Sequence, residues 1–132
     1  MTGLPDTPPR VAPRLKSAPK IRQLYWCDFP NDAQLPEFWK RRPVVILSKT
    51  AKLDGAVTVI PCSTQARQDP KLAFPLRTTI DGRAGWAICD KPTTIAVSRL
   101  LPAQGVIVRM PPDEFHEMLK LVLDLLPKLP AE

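Results

Sequence analysis

With 132 residues the chain has room for one domain, and a 44% share of hydrophobic residues supplies one core, so the chain as a whole is not disordered. Nineteen Lys and Arg against 13 Asp and Glu give a net charge of +6, which favours polyanionic partners. No apolar run approaches the roughly 18 residues of a membrane span, no apolar segment suggests a secretory leader, and five Gly with three Cys exclude collagen and disulfide mini-proteins.

The positive charge is concentrated at the start. Residues 1–22 hold Arg10, Arg14, Lys16, Lys20 and Arg22 against Asp6, and five of the 17 prolines. Few large apolar side chains accompany them. Residues 1–20 are therefore predicted to be a basic, disordered or polyproline-like arm, either a solvated tail or a phosphate-seeking one, ahead of a domain at 21–132. From Ile21, IRQLYWCDF mixes aromatic and apolar residues as a strand does. PNDAQLPEFWKRR reads as a long loop, and PVVILS as a buried strand. The Asp54-Gly55 pair marks a turn into the next strand, AVTVIPCST. AFPLRTTI is predicted at a sheet edge, because Pro75 cannot donate to a ladder. WAICD is a further strand, TTIAVSRL a short strand or turn, and GVIVRM the last strand.

The period then changes. From Pro111 the apolar residues Phe115, Met118, Leu119, Val122, Leu123 and Leu126 are spaced three and four apart, which predicts an amphipathic helix of about four turns. Asp113 and Glu114 sit in its first turn, where the helix dipole favours acids. The predicted fold class is mainly β with a C-terminal helix (α+β): a small SH3-like, strongly bent antiparallel barrel covered on one side by the helix.

Cys27, Cys62 and Cys89 contain no CxxC spacing, and His116 is the only imidazole. Four-ligand zinc spacing is absent, and a cysteine nucleophile would need an activating histidine, so the expected reading is three buried thiols in a reducing cytoplasm. No Gly-rich phosphate loop suggests a nucleotide cofactor, and no cluster of acids suggests a metal pair. No cofactor and no metal are expected.

What remains is chemistry by Arg, Ser, Thr, Asp and Lys. RNA suits such a set, because its own 2′-OH can attack the adjacent phosphate once it is held in line and the developing charge is neutralised. A guanidinium grips two phosphate oxygens, and a hydroxyl beside it completes an anion pocket. Arg42 stands where the long loop enters a buried strand, and Ser63-Thr64-Gln65 end the next one. If those strands pair through the turn at Asp54-Gly55, Arg42 and Ser63 meet at one sheet edge. Trp39, Lys40 and Arg41 add the aromatic and basic interleaving that suits base stacking and phosphate contact. The same residues also fit a surface ion pair, an ordinary strand end and a loop with a tucked aromatic.

At these residues the chain resembles the MazF/PemK toxins of bacterial toxin–antitoxin modules, from about residue 22 to 126. Leu24-Tyr25-Trp26-Cys27-Asp28-Phe29 is similar to the family's opening strand. RRPVVILS resembles its Arg-Pro-apolar-Ser motif, with Arg42 at the catalytic arginine, and VIPCSTQ sets Ser63 where many members carry a catalytic threonine. CDKPTTI resembles the PemK branch's Cys-Asp-Gln-Pro-x-Thr-Ile, with Asp90 at an acidic catalytic position. The resemblance implies a cytoplasmic, metal- and ribosome-independent mRNA interferase that leaves a 2′,3′-cyclic phosphate and a 5′-OH. It implies a homodimer with single-stranded RNA in its groove, and an antitoxin that occludes the groove and with which such toxins bind DNA. Three departures stand out. Ile88 replaces an arginine proposed as general acid, the long loop lacks the branch's histidine, and Ser63 replaces threonine. Arg41, Arg77 or Arg83 then stands in for the missing positive charge, or Arg42 carries it alone. A catalytically impaired nucleic-acid-binding domain and a gyrase-poison-like protein-binding toxin of the same fold are the alternatives.

Overall fold

The computed structural model describes residues 7–30, 32–35, 38–50, 52–64 and 69–130. The strands are β1 (Gln23–Asp28), β2 (Arg41–Ile46), β3 (Ala56–Ser63), β4 (Ala73–Leu76), β5 (Gly85–Ile88), β6 (Thr93–Ala96), β7 (Leu100–Leu101) and β8 (Val108–Arg109), followed by the helix α1 (Pro112–Asp124). The pairings are antiparallel, in the order β4-β5-β3-β2-β1-β7, with β6 added to β3 and β8 to β1.

Two strands change partners along their length, and this curls the sheet into a half-barrel. β3 pairs with β6 over Ala56–Val59 and then with β5 at Cys62 and Ser63, while its other edge stays on β2. The exchange straddles Pro61, which has no N–H to give a ladder. β1 likewise keeps β2 on one edge and divides the other between β8 and β7. β4 lies at the end of the strand order, as its proline predicts.

Both faces of the sheet are covered, so the central strands are apolar in succession rather than alternately. Val44 and Ile46 enter a first core with Tyr25, Cys27, Phe29, Val57 and Val59. Val45 enters a second with Leu24, Ile60 and Cys62, closed by Phe115, Met118 and Val122 of α1. Burying three such side chains contributes roughly 1.5–3 kcal/mol each, and this fixes the helix on the sheet. Leu123 and Leu126, assigned to the same stripe by spacing, are half exposed at the helix end.

Two readings of the sequence need correction. The arm is packed from Arg14 onward: Leu15 is buried in the first core, and Arg14 donates to Asp28 Oδ2 and to the Ser98 carbonyl. Proline-rich composition hid this because a single leucine anchors the segment. The last strand shrinks to Val108–Arg109, since Gly105 turns with φ 79° and Val106 and Ile107 are left facing solvent. As expected, β2 returns antiparallel to β3 through a turn at Asp54-Gly55, where Gly55 N donates to the Lys52 carbonyl and Ser48 Oγ accepts from Thr58 N.

Candidate functional site

Register decides where the candidate residues meet. Val44 pairs with Pro61, Val45 with Ile60 and Ile46 with Val59. Continued two residues, the same register sets Arg42 across from Ser63. Arg42 follows the alternation of Val44 and Ile46, which enter the first core, and Ser63 borders a crevice lined by Leu24, Cys62 and Leu76 of the second. On its other edge Ser63 pairs with Trp86 of β5. Asp90 comes four residues after Trp86, which puts its Cα within roughly 14 Å of that pair.

Each group has its own surroundings. Arg42 donates through Nε to the Trp39 carbonyl at 3.0 Å, and its guanidinium lies 5.2 Å from the centre of the Phe38 ring. It has no carboxylate partner among the described residues, and burial holds its pKa below the ordinary arginine value. Ser63 is only 8% exposed and reaches a small crevice beside Pro43, Thr64, Thr79 and Arg83. Thr64 next to it is exposed. Asp90 is half-buried and meets Lys91 Nζ at 3.3 Å. Thus the register directs Arg42 and Ser63 toward one end of the sheet, while Asp90 stands beyond the turn after β5 and is hydrogen-bonded to neither.

The remaining candidates are mostly tied to acids. Arg41 donates through Nε to Asp28 Oδ1 at 2.7 Å, Arg77 is paired with Glu117 at 2.8 Å, and Arg83 with Asp81 at 3.1 Å. Trp39 is 48% exposed and carries Lys40 Nζ 5.0 Å from its ring, a platform with a cation beside it. Gln65 lies outside the described residues. Ile88, at the departure from the family pattern, is buried.

Three features escaped sequence reasoning. Asp28 is a hub: Arg41 and Arg14 hold its carboxylate, and Arg99 donates to its carbonyl at 3.0 Å. The hydrogen bond from Arg41, then that from Arg14, keeps its pKa below the usual aspartate value. Glu114 is 1% exposed and accepts from Arg77 N, Thr78 N and Thr78 Oγ1. Its place four residues before Met118 and eight before Val122 was the available clue. Finally, a cleft of about 870 Å³ opens between the loop after β1 and strand β6, walled by Phe29, Phe38, Asp32, Lys91, Thr93 and Arg99. Phe38 thus separates the cleft from Arg42. Among the described residues no three His, Cys, Asp or Glu side chains are grouped to hold a metal, and no helix is long and apolar enough to cross a membrane.

Known proteins share this fold. The family model of the PemK-like, MazF-like toxin of type II toxin–antitoxin systems matches residues 20–126. Among solved structures, MazF of Deinococcus radiodurans is similar with a TM-score of 0.62 at 19% identity, over 81% of this chain and 94% of that one. The Mycobacterium tuberculosis toxin MazF-mt6 gives 0.56 at 20% identity, over 79% and 95%. A mycobacterial endoribonuclease in complex with its cognate antitoxin gives 0.58 at 21% identity, over 85% and 100%. No curated protein sequence matches. At these identities the structural neighbours speak for the fold, whereas the family model spans more than three quarters of the sequence and includes Arg42, Ser63 and Asp90; the chain belongs to the PemK-like, MazF-like toxins of type II toxin–antitoxin systems.

Proposed function

We propose that the protein is a metal- and ribosome-independent mRNA interferase that cleaves single-stranded RNA through its own 2′-OH. The reading is supported by one observation: Arg42 is half-buried, held at Nε by the Trp39 carbonyl and on its guanidinium face by the Phe38 ring, and has no carboxylate partner among the described residues, at the end of β2 where the antiparallel register runs toward the end of β3. A phosphorane forming there gains charge on its non-bridging oxygens, which the two Nη groups and the Ser63 hydroxyl stabilise. Asp90 accepts the proton of the 2′-OH or orients it. The 2′-oxygen bonds to phosphorus, the bond to the 5′-oxygen breaks, and that oxygen takes up a proton. The products are a 2′,3′-cyclic phosphate and a 5′-OH. Trp39, Lys40, Arg41, Thr64, Gln65, Arg77 and Arg83 form the RNA-binding set. The toxin acts as a cytoplasmic homodimer, and a cognate antitoxin neutralises it, as supported by the antitoxin complex of the mycobacterial endoribonuclease.

The test is purified full-chain protein with single-stranded RNA in EDTA. Cleavage is expected, and Arg42→Ala reduces it roughly 10²- to 10³-fold through loss of one preorganised donor group, with an unchanged melting temperature. No cleavage, or cleavage only on adding metal, refutes the mechanism. Burial of Ile88 at the family's arginine position favours one second reading, a nucleic-acid-binding domain of impaired activity. Binding of RNA without cutting supports that reading instead.

A further inference from the structure

A guanidinium that stabilises a transition state must be aimed before the substrate arrives. The loop between β1 and β2 does the aiming. Lys40 has φ 59°, a left-handed conformation that lysine rarely adopts, and the chain reverses there so that residues 38 and 39 lie back against Arg42. The Trp39 carbonyl takes Nε at 3.0 Å, and the Phe38 ring lies 5.2 Å from Cζ. The platform is itself anchored, since Phe38 packs on the first core and stands 5.9 Å from the Phe29 ring. Nε and one face of the guanidinium are thereby occupied, and Nη1 and Nη2 have no acid partner among the described residues.

We propose that Phe38 is a positioning residue for RNA cleavage: its ring, with the Trp39 carbonyl, orients the Arg42 guanidinium toward the scissile phosphate. This rests on the interferase reading above. Phe38 touches no reacting atom and acts through Arg42, so its loss lowers the rate of the chemical step more than substrate affinity.

The experiment measures kcat and KM of the full-chain protein on single-stranded RNA in EDTA, with melting curves for each variant. Phe38→Leu keeps apolar volume and removes the π face; Phe38→Tyr keeps the ring. Phe38→Leu is expected to lower kcat about tenfold with KM changed less than about twofold, and Phe38→Tyr to restore kcat to within about twofold. In the Arg42→Ala background Phe38→Leu has no further effect, because the group it orients is gone. Should Phe38→Leu fail to fold, Phe38→Met carries the same comparison. The proposal is overturned if Arg42→Ala lowers cleavage strongly while Phe38→Leu leaves kcat unchanged. It is also overturned if Phe38→Leu lowers the residual activity of Arg42→Ala by the same factor as it lowers wild type. An Arg42→Ala protein of wild-type activity takes Arg42 out of the chemistry and overturns this inference, whereas a wild-type protein that does not cut RNA in EDTA overturns the interferase reading itself.

Discussion

Truncating Glu114 to alanine should destabilise the protein by about 3 kcal/mol. The carboxylate is 1% exposed and takes three donors from a segment 36 and 37 residues away: Arg77 N at 2.6 Å, Thr78 N at 3.1 Å and Thr78 Oγ1 at 2.6 Å. The Thr78 hydroxyl can rotate to another acceptor, but the two backbone N–H groups cannot. A buried donor left without a partner costs roughly 1–3 kcal/mol, somewhat less here because the segment can open to water. Two such donors give the stated figure, and in a chain of this size it corresponds to a melting temperature lower by about 10 °C. Glu114→Gln keeps one acceptor oxygen and turns an NH₂ toward the donors, so about half the effect is expected. Glu117→Ala is the control. It removes the exposed partner of Arg77 one turn along the same helix and should shift the melting temperature by less than about 2 °C. Thermal unfolding followed by circular dichroism, with urea titration at 25 °C, gives all three values. If Glu114→Ala lies within 1 kcal/mol of wild type, the carboxylate is not anchoring the segment after β4, and the account of α1 as its tether fails.

Leu15→Ala should destabilise by about 2 kcal/mol, since its side chain is buried in the first core; urea unfolding unchanged by the substitution would return residues 7–20 to the status of a loose arm. Burial pushes the Cys27 and Cys89 thiols up to about 12 and Cys62 higher still. At pH 8 a thiol reagent should therefore modify none of the three in the native protein within minutes and all of them in guanidinium; native modification at the rate of a free thiol contradicts the packing of that cysteine. Because Arg41 and Arg14 hold the Asp28 pKa below its unfolded value, the carboxylate stabilises the fold above about pH 4 and loses that contribution as pH falls through the native pKa. Asp28→Asn should flatten the decline of the urea midpoint between about pH 5 and 3; an unaltered acid limb shows that the hub contributes nothing to stability.

Legibility in the sequence followed the range of the interactions. β2 was readable because burial on both faces makes Val44, Val45 and Ile46 apolar in succession, and α1 because its buried positions repeat with the helical period. The antiparallel pairing of β2 with β3 was readable from the turn at Asp54-Gly55 alone, since any such return sets the start of one strand toward the end of the next. Asp28 could not be read as a hub, because its three arginines come from 13, 14 and 71 residues away and nothing local distinguishes them. Glu114 obeyed the first-turn rule for acids, and this masked the clue in its helical spacing from the buried Met118 and Val122. Leu15 was masked by the prolines and basic residues around it. Phe38 belongs to a loop whose composition reports only that it is a loop.

The ion pairs bear on which cation meets the phosphate at the proposed site. Arg41, Arg77 and Arg83 each face a carboxylate, so each presents a dipole whose field falls away quickly and is screened by salt. Lys40 stands over an aromatic ring at an exposed loop, where water shields it. Arg42 differs from all of them. Its charge is partly withdrawn from water, which lowers its pKa, yet no acid among the described residues compensates it, and a guanidinium remains protonated at neutral pH all the same. The desolvation cost is thus already spent before an anion arrives, and the attraction to a phosphorane dianion is realised with little further reorganisation. A fully paired arginine at position 42 would bind an incoming phosphate only by first giving up its acid. The neutral carbonyl and ring that hold Arg42 fix its direction without cancelling its charge, which is the electrostatic condition that the proposed cleavage by the ribose hydroxyl requires.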